Sequence, residues 1–118
     1  MPEDKTPAED AAMLDELDNG KTRYIVIMKE GSCYIPGPGG PGEDRLNPHV
    51  RYMFDLKRAG MVAAFGPVRD NTDVKEIVIF TTGDKQTAGA LMDEDPDVRS
   101  NRLKFEIHPW TEFSGKRH

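Results

Sequence analysis

Only one cysteine, Cys33, and one tryptophan, Trp110, occur in the 118 residues of this chain. A single thiol excludes an internal disulfide framework and argues against a cysteine-built metal site. It fits a reducing compartment, so a cytoplasmic protein is expected. No apolar run approaches the roughly 20 residues that a membrane helix needs, so no membrane partner is expected. The first residues lack a basic stretch leading into an apolar one, which argues against a secretory leader. Cationic excess is also missing: 16 Lys and Arg stand against 21 Asp and Glu, for a net charge of −5. Phosphate backbones are held by concentrated Lys and Arg, so nucleic acid is not an expected partner. No Gly-Lys-Ser/Thr follows the glycine-rich run, which excludes a Walker phosphate loop. The three histidines, His49, His108 and His118, lack metal-ligand spacing, and no Gly-x-Ser-x-Gly elbow appears. No metal and no cofactor are therefore expected.

What is present divides the chain into an acidic extension, residues 1–20, a domain over 21–113 and a polar tail over 114–118. The extension carries Glu3, Asp4, Glu9, Asp10, Asp15, Glu16 and Asp18 against Lys5 alone. Thr6, Pro7 and Glu9 have the form of a capping box, and Met13, Leu14 and Leu17 make a thin apolar stripe. Two readings stand: a frayed tail, or a short helix that docks on the domain or on a partner subunit. Residues 24–28 are a continuous apolar, β-branched run that predicts a buried strand. The Pro/Gly run 36–42 is a loop of unusual length for a compact domain.

Asn47 and Pro48 are a helix cap and first position, and Gly60 is the stop. At about 100° per residue, Val50, Met53, Phe54 and Leu56 share a broad face with His49. Residues 61–65 and 76–80 predict two more strands. A second helix is expected from Thr82, Gly83 and Asp84 to about Asp93, broken by Asp95 and Pro96. A short turn is expected over 97–101. Residues 103–107 alternate apolar and polar, the pattern of a strand with one exposed face. From Pro109 the chain is expected to be irregular, though Trp110 and Phe113 look made for packing. The order strand, helix, strand, strand, helix, strand is that of an α+β, ferredoxin-like βαββαβ subunit with an antiparallel sheet and helices on one face. Strands apolar on both faces call for cover on the other side. A second copy, packed sheet to sheet as a dimeric α+β barrel, supplies it most economically.

The run from His49 through Gly60, then Phe65, Gly66 and Pro67, then Asp95 and Pro96, and last the run 105–110, resembles the YCII-related (YciI-like) family over residues 24–110. The resemblance implies a homodimeric barrel with a histidine–aspartate pair in a cleft, here His49 and Asp95. A dehydrochlorinase acting on a chlorinated hydroxyhydroquinone is similar to that family, which implies acid–base chemistry on a small, ring-shaped metabolite. The extension 1–20 and the insertion 36–42 depart from the compact family pattern, and the insertion leads directly toward His49.

In that reading His49 is a general base. The positive end of its helix disfavours the imidazolium and biases the ring toward neutral, while a nearby Asp95 pushes the other way. Asp95 orients it by accepting one ring proton, for a contribution of roughly 10²–10⁴-fold to rate. The reaction expected is a cofactor-free elimination or isomerisation. The plainer alternatives are a structural histidine packed on the sheet and an aspartate that caps the turn after Pro96. Gly66 and Pro67 bring backbone near a ligand or simply turn the chain. Arg69 is a candidate for binding an anion, and Tyr24 for lining an aromatic pocket or packing the core. The competing class of function is a non-catalytic module that binds a small molecule or another protein.

Overall fold

A computed structural model of the protein describes residues 7–36 and 46–113. The chain runs α1 (Pro7–Asp18), β1 (Lys21–Glu30), α2 (Pro48–Arg58), β2 (Val62–Pro67), β3 (Val74–Phe80), α3 (Lys85–Asp93), α4 (Pro96–Arg99) and β4 (Leu103–Glu112). It forms two compact units, Arg23–Trp110 and a smaller one that joins Met1–Thr22 with Thr111–His118.

In the larger unit the sheet order is β2-β3-β1-β4. β3 pairs antiparallel with β1, where Val26 faces Val78 and Tyr24 faces Phe80, and with β2, where Gly66 faces Ile77. This is the α+β, ferredoxin-like arrangement expected from the order of apolar runs. The side-chain alternation of a strand divides each strand between two faces. Val26 and Met28 of β1, Val78 and Phe80 of β3 and Leu103 of β4 point to the helices and are buried with Met53, Leu56, Val62, Ala88 and Met92. Burial of each large side chain contributes about 1.5–3 kcal/mol. Ile25, Ile27, Ile77 and Ile79 take the alternate positions and are only half-buried.

The helices begin where side chains satisfy their first N–H groups. Asn47 Oδ1 accepts from Val50 N at 2.8 Å ahead of Pro48. Asp84 accepts from Gln86 N at 3.3 Å and from the Thr87 hydroxyl at 2.6 Å. α2 ends before Gly60, whose φ of +83° suits a residue without Cβ. The amphipathic face of α2 buries His49, Met53 and Leu56. Val50 is only half-buried, and Phe54 is 44% exposed where an inward position was expected. The reason is where the helix packs. α2 lies against β2, the edge strand, and Phe54 meets Phe65 edge-on at 5.0 Å rather than entering the core.

Three other expectations change. β1 and β3 are longer than their apolar runs, because flanking polar residues continue the ladder. The chain does not become irregular at Pro109, since β4 continues to Glu112. β4 is an edge strand, where proline's missing N–H costs no ladder bond. Trp110 and Phe113, side chains made for packing, are 39% and 47% exposed. Within the smaller unit, the extension does form a helix, α1, with no buried residue and with Leu14 and Leu17 exposed. Thr6, most of the Pro/Gly run 36–42 and the tail 114–118 lie outside the described residues.

Gly31 permits the closest backbone approach in the larger unit. Its N–H donates to Arg102 O at 2.9 Å, and a Cβ there would lie 2.3 Å from Asn101 O. The neighbour is backbone, in a turn held by the positive φ of Asn101. Gly31→Ala is therefore expected to destabilise the fold by about 1–3 kcal/mol. A urea midpoint equal to that of the parent would contradict this close approach.

Candidate functional site

His49 is the second residue of α2, and its helix turns it inward beside Met53, one turn along. The ring is 1% exposed. His49 Nδ1 lies 2.6 Å from Asp95 Oδ1, and Nε2 lies 2.5 Å from Glu76 Oε1. Three elements thus meet on one imidazole: the start of α2, the middle of the sheet and the cap of α4. Asp95, fully buried, divides its two oxygens. Oδ1 faces the ring, while Oδ2 accepts from Asp97 N at 3.1 Å and from Val98 N at 3.2 Å. Asp95 thus contacts the histidine and caps the turn at once. The fixed φ of Pro96 starts that short helix at its first position.

Electrostatics decides the state of the ring. Burial pushes the imidazole toward neutrality, but the hydrogen bonds to Asp95 and Glu76 and the charges of both carboxylates outweigh it. The net effect raises His49 to about 10. The ring is an imidazolium at neutral pH, with both N–H groups donating. Of the two opposing effects expected on the ring, the carboxylates outweigh the helix end. The helix-end effect is worth about 0.3–1 kcal/mol on exposed groups, and two carboxylates at contact distance exceed it. An imidazolium has no lone pair with which to take a proton, so this ring is not poised as a general base at pH 7. Asp97, also buried, is raised by that burial; the His49 charge opposes the shift, Asp95 adds to it and Arg102 opposes it. The Tyr52 hydroxyl, raised by burial and by Asp95 and Glu94, donates to Leu91 O at 2.5 Å and ties α2 to α3.

Glu76 is the residue that pattern reading did not single out. It lies at the same inward parity of β3 as Val78 and Phe80. A glutamate on the core side of an alternating strand needs a buried partner. That parity was the available signal. It is hidden when Glu76 is taken as the polar first residue of a strand, and the strand in fact begins at Val74.

The other candidates are not gathered around the ring. Tyr24 packs partly buried against the core from β1. Gly66 and Pro67 lie on β2 and, with Ala64, Val68, Ile77 and Ile79, line an open, apolar hollow of about 260 Å³. Gly66 faces Ile77 in the ladder, so the hollow belongs to the sheet face away from the helices. Arg69 is exposed just past the end of β2. Among the described residues, no group of three or more His, Cys, Asp or Glu is arranged to hold a metal ion. No helix among them is long and apolar enough to cross a membrane. No family model matches the chain, and no curated protein or solved structure matches it either.

Removing one member of a buried ion pair leaves the others uncompensated, at a cost of about 3–5 kcal/mol. His49→Gln, close in size but uncharged, is expected to lose about that much at pH 6. The ring's pKa is raised from 6.5 to about 10 on folding, so its stabilisation is complete below pH 6.5. It declines by about 1.4 kcal/mol per pH unit above that and is gone once pH passes the folded value. Urea unfolding of parent and variant at pH 6, 8 and 10 should therefore give curves that converge as pH rises. A gap that is constant or widens with pH would contradict a charged ring.

Proposed function

We propose that this protein is a non-catalytic interaction module of YCII-like architecture. It works as a homodimer in the cytoplasm, with the face of its sheet away from the helices as the working surface. One observation carries the reading: both ring nitrogens of the most catalytic-looking residue are engaged by buried carboxylates, and the ring is 1% exposed. His49 is then a pin that holds α2, β3 and α4 in register. The half-buried isoleucines of β1 and β3 supply the complementary argument. An apolar sheet face gains from cover, and two such faces pack about 10 Å apart with aligned strands. Small molecules, if bound, would enter the open hollow beside Gly66 and Pro67, across the sheet from His49.

A second reading is a cofactor-free enzyme that moves a proton on a small metabolite. The His49–Asp95 contact at 2.6 Å favours it, because these are the positions to which the YCII resemblance gives an active site. In that reading the ring begins as the proton donor, with Glu76 as the group that receives or relays the proton from Nε2.

The nitrogen resonances of the histidine rings separate these readings, with His49→Gln used for assignment. The module reading expects His49 to carry protons on both nitrogens at pH 7 and to show no titration up to about pH 8.5. A ring with one proton that titrates near its ordinary value would restore the general base and remove the support for the pin. Sedimentation equilibrium tests the assembly: a dimer is expected at micromolar concentrations, and a strict monomer would refute the homodimer.

A further inference from the structure

Where α1 hands over to β1 the chain reads Asn19-Gly20, between Asp18 at the end of the helix and Lys21 at the start of the strand. An asparagine followed by glycine loses its amide readily to attack by the next backbone nitrogen. Glycine has no side chain to crowd the ring that forms. We propose that Asn19 is a site of spontaneous deamidation, and that its conversion unlocks the last turn of α1.

The structure separates Asn19 from the other asparagines, Asn47, Asn71 and Asn101. Asn47 precedes Pro48, whose nitrogen carries no proton to give up. The nitrogen after Asn71 belongs to Thr72 and donates to Asp70 Oδ1 at 3.2 Å. The nitrogen after Asn101 belongs to Arg102 and donates to Asp97 O at 2.9 Å. Asn19, by contrast, is exposed, and Gly20 belongs to neither the helix nor the strand. The fold also keeps a larger residue out of position 20. A Cβ there would lie 2.6 Å from the Phe113 ring and 2.6 Å from the Thr111 methyl group.

As an amide, Asn19 closes the helix. Its backbone N–H donates to Asp15 O at 3.0 Å and Glu16 O at 3.2 Å. Nδ2 donates to Asp15 O at 2.7 Å and to Asp15 Oδ1 at 3.1 Å, on a helix end that is already negative. Helix ends fray, so the side chain leaves Asp15 from time to time and reaches its own backbone. Gly20 N then gives up its proton to solvent and bonds to Asn19 Cγ. The Cγ–Nδ2 bond breaks, and ammonia leaves with a proton taken from water. Water next opens the cyclic imide at one of its two carbonyls. Opening at Cγ gives aspartate on an unchanged backbone. Opening at the main-chain carbonyl gives isoaspartate, with the backbone routed through the side chain. Either product sets a carboxylate, which has no proton to donate, against Asp15 O and the Asp15 carboxylate. Like charges four residues apart repel on a helix. The step does not reverse, so α1 loses its closing contact once and permanently. The acidic extension thus carries a chemical clock.

The full chain should be held at neutral and at mildly alkaline pH, then digested and read by mass spectrometry, with isoaspartate labelled by an isoaspartyl methyltransferase. The expected result is deamidation at Asn19 first, faster at the higher pH, with isoaspartate among the products and with Asn71 and Asn101 intact. Gly20→Ala should slow it severalfold. If Asn19 stays intact in the native protein while the urea-unfolded chain deamidates there, the site is overturned. Loss at Asn71 and Asn101 as fast as at Asn19 overturns the selectivity. Asn19→Asp carries the product's charge without the reaction. It should speed amide hydrogen exchange across the last turn of α1 about two- to fivefold. Exchange equal to that of the parent would overturn the unlocking. The site stands apart from the homodimer, and a monomeric protein would leave it unchanged.

Discussion

An imidazolium held between two buried carboxylates ties this fold together. Glu76 comes from the sheet, Asp95 from the cap of a one-turn helix and His49 from the first turn of α2. None of the three could be buried alone, since an isolated charge in an apolar interior costs several kcal/mol even after relaxation. Each makes the burial of the others possible. The pin also acts at a distance from its own atoms. Asp95 Oδ2 starts α4, and the turn after α4 meets Gly31 at the end of β1. A change of charge on the ring would thus reach the sheet through two routes, Glu76 directly and the α4 turn.

The same arrangement argues for a division of labour between the two faces of the sheet. The helix-covered face is dense and carries His49 with its two carboxylate partners, Glu76 and Asp95. The other face is lined by half-buried isoleucines, with Lys29 and Glu106 paired toward one edge and the hollow of Ala64 and Gly66 at the other.

Several elements were legible from local pattern because their causes are local. The start of α2 follows from a capping side chain and a proline whose effects reach three residues. The strands follow from β-branched runs, and the order of elements leaves few topologies for a right-handed, unknotted chain. Pro109 misled for the opposite reason. Whether proline ends a strand depends on which neighbour that strand has, and β4 has a free edge. Phe54 shares a face with His49 on a helical wheel, yet which part of that face is sealed depends on where α2 crosses the sheet.

The sequence by itself determined the secondary-structure order, the caps, the two faces of the sheet and the inward placement of His49, because each depends on residues a few positions apart. It also made Asp95 a cap whatever else that residue does. Only the tertiary structure decided the charge of the imidazole. That charge depends on two carboxylates 46 and 27 positions away, and on a balance between burial and contact that no local pattern contains. The residue that looked most like a base is held as a cation between two carboxylates in the core.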